Sequence, residues 1–200
     1  MKKETIKNIF DFLKEKEGKK HKDQDTLRWK LMFNEPLTEE DLNVKGDLKL
    51  SGFQNLKSLP EGLIVGGDLY LNFCKNLTSL PKGLYVGGNL YLGFSEITSL
   101  PDDIIIDGGL NLDNSKILTL PEGLEIKSWL KLSNTKITSL PKGLKVTKNL
   151  SLLNTLIQSL PEGLEVGGDL NISLTTLTKY TDKELRDMIK PGIIRGFIDR

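Results

Sequence analysis

Leucine alternates with polar or variable residues in seven short runs: Leu48-Lys49-Leu50, Leu69-Tyr70-Leu71, Leu90-Tyr91-Leu92, Leu110-Asn111-Leu112, Leu130-Lys131-Leu132, Leu150-Ser151-Leu152 and Leu170-Asn171-Ile172. A period of two puts alternate side chains on one face, so each run predicts a short strand with one buried side. Leu-Pro pairs punctuate the intervals at Leu59-Pro60, Leu80-Pro81, Leu100-Pro101, Leu120-Pro121, Leu140-Pro141 and Leu160-Pro161, spaced 21 residues once and 20 four times. That interval has no room for a full crossover helix, which excludes a doubly wound sheet. The pattern predicts an α/β solenoid of about seven parallel strands, roughly 30 Å along its sheet, with a short 3-10 or extended convex side.

The remaining repeat positions fit coils of this kind. Proline cannot donate to a ladder and belongs at a corner. Glycine follows it two residues later at Gly62, Gly83, Gly123, Gly143 and Gly163, with Asp103 the single replacement. Asp tolerates positive φ better than most residues, so a left-handed turn is expected throughout. A second site carries Gly66-Gly67, Gly87-Gly88, Asp107-Gly108 and Gly167-Gly168, but Lys127-Ser128 and Thr147-Lys148 in two coils. Glycine is favoured there and not required. A hydroxyl precedes every Leu-Pro, at Ser58, Ser79, Ser99, Thr119, Ser139 and Ser159, and is read as a stack bonded to backbone.

The composite Leu-x-Leu-x-x-(Asn/Cys/Thr)-x-Leu-x-x-Leu-Pro-x-x-Leu resembles the leucine-rich repeat, in the short form of bacterial effector proteins, over residues 46–180. The Gly-Leu-x-Val-Gly-Gly wording is also similar to small repeat proteins of bacteria and their phages. The resemblance implies a protein-binding module. Where that family places a turn asparagine, this chain has Phe53, Cys74, Ser95, Ser115, Thr135, Thr155 and Thr175, which predicts a variant turn or buried water.

A solenoid must cover the ends of its core. Residues 1–45 are expected to form a helical N-terminal cap, opened by an amphipathic helix with Ile6, Ile9, Phe10 and Leu13 on one face. A partner-docking helix is the alternative for that segment. Leu27 to Phe33 is an apolar stretch readable as helix or strand, and Thr38-Glu39-Glu40-Asp41 reads as the start of a helical turn. Residues 181–200 are expected to be the C-terminal cap, a helix opened by the capping box Thr181 to Glu184 and a closing strand over 193–198.

Composition narrows the classes. Charged residues make up 28% and hydrophobic ones 38% of 200, a folded rather than disordered balance. No run approaches a membrane span and the start lacks a signal-peptide pattern, so the expected location is cytoplasmic, with unconventional secretion or virion incorporation left open. The lone Cys74 suits a reducing compartment. Net charge is +1, yet residues 1–30 hold ten Lys/Arg against six Asp/Glu. The cluster from Lys14 to Lys22 could be a nucleic-acid patch, but interleaved acids and missing aromatics favour a solvated connector.

A catalytic constellation is not found. His21 stands alone in that connector, and Cys74 falls at an inward turn position. There is no Cys/His pair for a metal, Gly87-Gly88-Asn89 lacks the lysine of a phosphate loop, and a period of 20 does not suit a calcium roll. Neither cofactor nor metal is expected. The surviving candidate is the outward face of the strands, where Tyr70, Tyr91 and Trp129 would anchor a protein partner, with Asn111, Asp113 and Lys131 between them. The alternative is an assembly component, such as a phage virion subunit, held through its ends or edges.

Overall fold

The computed structural model describes residues 22–33 and 35–200, with side chains placed from Leu27 onward. The expected amphipathic segment over residues 3–16 and the charged connector through His21 lie outside the described residues. Helix α1 (Lys22–Phe33) is the first element among the described residues, and it settles the Leu27 to Phe33 stretch as helix. Leu27 is fully buried and joins the core. A 3-10 turn follows at Glu40–Leu42, where Asp41 accepts from the Thr38 backbone N–H at 2.6 Å, the arrangement expected of Thr38 to Asp41. Asp41 also pairs with Lys30 Nζ at 2.5 Å and so fastens α1 to the first coil.

Each coil then contributes two short strands at its corner. The first strands of the pairs are β1 (Asn43–Val44), β3 (Ile64–Val65), β5 (Tyr85–Val86), β7 (Ile105–Ile106), β9 (Glu125–Ile126), β11 (Lys145–Val146), β13 (Glu165–Val166) and β15 (Ile193–Ile194). The second are β2 (Leu48–Lys49), β4 (Leu69–Tyr70), β6 (Leu90–Tyr91), β8 (Leu110–Asn111), β10 (Leu130–Lys131), β12 (Leu150–Ser151), β14 (Leu170–Asn171) and β16 (Ile198–Asp199). The second set forms one parallel eight-stranded main sheet, in which Leu48, Leu69, Leu90, Leu110, Leu130, Leu150, Leu170 and Ile198 stand in register. The first set flanks it as two separate four-stranded sheets.

Eight rungs replace the seven expected. The extra rung comes from the C-terminal segment, which is no simple lid over the last coil. Helix α2 (Asp182–Met188) opens with the expected capping box, Thr181 and Glu184 bonding reciprocally, but the chain then returns to both ladders as β15 and β16. Gly196 makes this possible, since a Cβ there would lie 2.6 Å from the Gly168 backbone. At this last coil the flanking ladder ends on the carbonyls of Ile194 and Gly196, and one side chain, Arg186, donates to both. A guanidinium with several donors in a fixed fork can take two acceptors that a ninth coil would otherwise use.

The core is one column per inward position. In a single coil Leu90, Leu92, Ser95, Ile97, Leu100, Ile104 and Ile106 all point in and are buried. Full burial of each leucine contributes about 2 kcal/mol, so the stack of aliphatic columns is the main stabilising term.

The turns correct two expectations. Gly62, Gly83, Gly123, Gly143 and Gly163 are left-handed as predicted, with φ between 66° and 74°. Asp103 does not share that conformation. Its Cβ disfavours positive φ, and its carboxylate instead accepts the Gly83 N–H at 3.0 Å. The second left-handed site was not anticipated: Phe73, Phe94, Asn114, Asn134, Asn154 and Leu174 all have φ between 54° and 62°. This is the variant turn, lying one residue before the buried column Cys74, Ser95, Ser115, Thr135, Thr155 and Thr175. Thr135, Thr155 and Thr175 donate to the carbonyl three residues back, and Cys74 Sγ donates to Leu50 O at 3.1 Å. The hydroxyls before each Leu-Pro are a further correction. All six are exposed and none hydrogen-bonds among the described residues, so backbone bonding does not explain their regularity.

The glycine pairs also have a steric meaning. A Cβ at Gly87 would sit 2.5 Å from the Gly66 carbonyl oxygen. Lys127-Ser128 is the first coil with two side chains here, and there β9 does not pair with β7, which divides the flanking ladder. Pairing resumes at the next coil, with Thr147 N to Ile126 O at 2.9 Å.

Candidate functional site

Strand alternation sends Tyr70, Tyr91, Asn111, Trp129 and Lys131 to the outer face of the main sheet, as expected, because the leucines between them are drawn into the core. Tyr70 and Tyr91 are directly paired neighbours, and their rings stack with centroids 4.7 Å apart and planes 6° from parallel. Trp129 stands two rungs beyond Tyr91, yet its ring centroid is only 6.0 Å away. Gly109 explains this closeness. It faces outward on the intervening coil, and a Cβ there would lie 2.3 Å from Trp129 Cε2 and 2.5 Å from Cδ2, a clash with the face of the ring. The indole leans over the bare glycine and completes a line of three aromatic side chains.

Cations close both ends of that line. Lys49 Nζ lies 5.8 Å from the Tyr70 ring centroid and Lys131 Nζ lies 5.4 Å from that of Trp129. Tyr70 donates its hydroxyl to Asp68 Oδ2 at 3.1 Å. Burial first, and the Asp68 bond second, push its phenol up to about 12. Tyr91 is raised as well, mainly by burial. Both phenols therefore stay neutral donors at neutral pH and are not bases.

The two polar members behave differently. Asn111 Oδ1 accepts the Asp113 N–H at 2.9 Å, and Asp113 Oδ1 accepts the Ser133 N–H at 2.7 Å. They hold the strand ends in place and offer a partner only their remaining atoms. The same device runs along the strand entrances, where Asp47, Asp68, Asn89, Asn149 and Asp169 each accept the backbone N–H one coil on.

Phe73 and Phe94 were missed altogether. They occupy the left-handed turn just after the strands carrying Tyr70 and Tyr91, and they are 47% and 49% exposed. Their rings stack at 4.7 Å and 11°. The available signal was register, because they align with Gly52, Asn114, Asn134 and Asn154, residues suited to positive φ. Two columns thus change character together along the array. Aromatic Tyr70 with Phe73, and Tyr91 with Phe94, give way to Lys131 with Asn134 and Ser151 with Asn154 at matching positions.

Burial raises the pKa of the Cys74 thiol, which is a poor nucleophile for that reason. Among the described residues no group of three or more His, Cys, Asp or Glu could hold a metal ion, and no helix is long and apolar enough to cross a membrane. No family model matches the sequence, and no curated protein matches it significantly.

Proposed function

We propose that the chain is a leucine-rich-repeat module of the short bacterial type that binds a protein partner on its concave sheet face and catalyses no reaction. The helical segments serve as its caps, and its setting is the cytoplasm, with no role in binding nucleic acid or membrane. The observation that carries the reading is the pair of stacked aromatic couples on two adjacent coils, Tyr70 with Tyr91 and Phe73 with Phe94. Large exposed aromatic surface with a polar surround is the usual anchor of a protein interface, and monomers seldom expose it otherwise.

The test is affinity capture from the native host, followed by a binding constant for the captured protein. Tyr70→Ala with Tyr91→Ala should weaken binding at least tenfold with little change in melting temperature. If that variant keeps the partner and neutralising Lys19 and Lys20 loses it, binding runs through the N-terminal segment and the face is scaffold.

A second reading, an assembly subunit, has its own support in the last coil, where Phe197 is 80% and Ile193 42% exposed. Solution mass separates the two. A monomer favours the binding module, and a defined higher assembly favours the subunit.

A further inference from the structure

The C-terminal half of the same face holds a recess of about 220 Å³ beside Trp129, bordered by Lys131, Asn149, Asp169, Asn171 and Asp199. Its polar groups are held in fixed orientations. Asn149 Oδ1 accepts the Asp169 N–H at 3.1 Å and Asn171 Oδ1 accepts the Ser173 N–H at 2.9 Å. With each amide oxygen pinned, each NH₂ is directed away from that backbone, and neither has a partner among the described residues. Asp169 is pinned in the same way, Oδ1 accepting the Phe197 N–H at 2.9 Å, which leaves Oδ2 unused. Asp199 makes no side-chain bond among the described residues. The indole of Trp129 also lines the recess, with one face seated on Gly109 and the Lys131 ammonium 5.4 Å from its ring centroid, a place that a stacking ligand would take.

From this arrangement we propose that the recess binds a neutral oligosaccharide. A pyranose ring offers a flat C–H face to an aromatic wall and a rim of hydroxyls, each both donor and acceptor. The rim of the recess matches it with two amide donors, an ammonium and two carboxylate acceptors. Preorganised polar groups of this kind, few and convergent on a concave site with an aromatic wall, give a small ligand its orientation. Other classes fit worse. Two carboxylates repel a phosphorylated ligand, one aromatic wall is too little for a lipid, and Lys131 stands against a bound metal cation. The inference does not rest on protein capture, because a free sugar should bind the chain alone.

The experiment is isothermal titration with a panel of pentasaccharides: cellopentaose, laminaripentaose, maltopentaose, xylopentaose, mannopentaose and chitopentaose. At least one should bind with a Kd of about 1 mM or tighter. Trp129→Ala and Asn171→Ala should each weaken it at least tenfold, and Trp129→Phe should retain most of it. Asn171 lies on the outer face, so its variant keeps the test alive if Trp129→Ala fails to fold. The Phe73→Ala, Phe94→Ala variant, whose lost rings stack on each other and do not line the recess, should bind the sugar normally, which separates this site from the protein-binding reading. Absence of binding by the whole panel at about 10 mM overturns the proposal, as does binding that survives both Trp129→Ala and Asn171→Ala unchanged.

Discussion

Phe73 and Phe94 stack face to face at 4.7 Å while both backbones hold a left-handed conformation that bulky residues avoid. The conformation costs each about 1 to 2 kcal/mol, and an aromatic pair returns about 0.5 to 1.5. The fold itself would be served better by asparagine, which three later coils use at this site. Phe73→Asn with Phe94→Asn should therefore raise stability by about 1 kcal/mol while partner capture falls. Chemical denaturation and the binding assay together check this. A loss of stability with capture intact would make the pair a structural element.

Leu110 tests the core. It is fully buried and paired on both sides, to Leu90 and Leu130. Leu110→Asp removes about 2 kcal/mol of burial and adds an unpaired buried carboxylate that costs several more, so the array should not fold. Leu110→Met, which conserves volume, should cost under about 1.5 kcal/mol. Circular dichroism melting of both variants decides the matter.

Cys74 should be chemically silent in the folded chain. Burial raises the pKa of its thiol, so little thiolate exists at neutral pH. A thiol-reactive dye should label it only after denaturant is added. Cys74→Ser places there the residue that Ser95 and Ser115 already provide, and it should leave stability and capture unchanged. Rapid labelling of native protein would reverse this assignment.

The attachment of α1 should weaken in acid. Burial on its own would raise the pKa of Asp41, but bonds from Lys30 and Thr38 outweigh it and hold the carboxyl below the ordinary value. A folded pKa below the unfolded one stabilises above the unfolded value and is lost as pH falls through the folded one. Asp41→Asn should cost about 1 kcal/mol at neutral pH, roughly 2 to 4 °C in melting temperature. The gap should close as both proteins are taken into acid below the ordinary carboxylate range. A gap that is constant with pH would deny Asp41 this role.

The main sheet was legible because Leu-x-Leu combines a period of two with a spacing of 20, and little but stacked rungs satisfies both. The flanking strands were not, since two residues such as Tyr85-Val86 are too short to show alternation. The eighth coil was hidden by its inserted helix and missing Leu-Pro. Its signature nevertheless stands in Arg195-Gly196, which matches Lys45-Gly46 of the first coil. Of the candidate face, the aromatic positions could be read from strand alternation. The contact of Tyr91 with Trp129 could not, because it depends on an absent side chain at Gly109. Asn111 and Asp113 looked free only because hydrogen bonds along a ladder leave no trace in a single repeat.

The division of the flanking ladder at Lys127-Ser128 bears on how the molecule comes apart. A linear array of near-neighbour contacts parts where its coupling is weakest, and between β7 and β9 the backbone ladder is replaced by an exposed Lys127–Asp107 ion pair, beside the main sheet and the core. Native-state hydrogen exchange should resolve two cooperative blocks, with Gly66, Gly87 and Asp107 amides in one and Thr147, Gly167 and Arg195 amides in the other. A single exchange energy for all six would show the seam to be mechanically irrelevant. With the seam in place, the aromatic couples of Tyr70, Phe73, Tyr91 and Phe94 ride on one block and the Trp129 recess on the other, so either can fray without dissolving its neighbour.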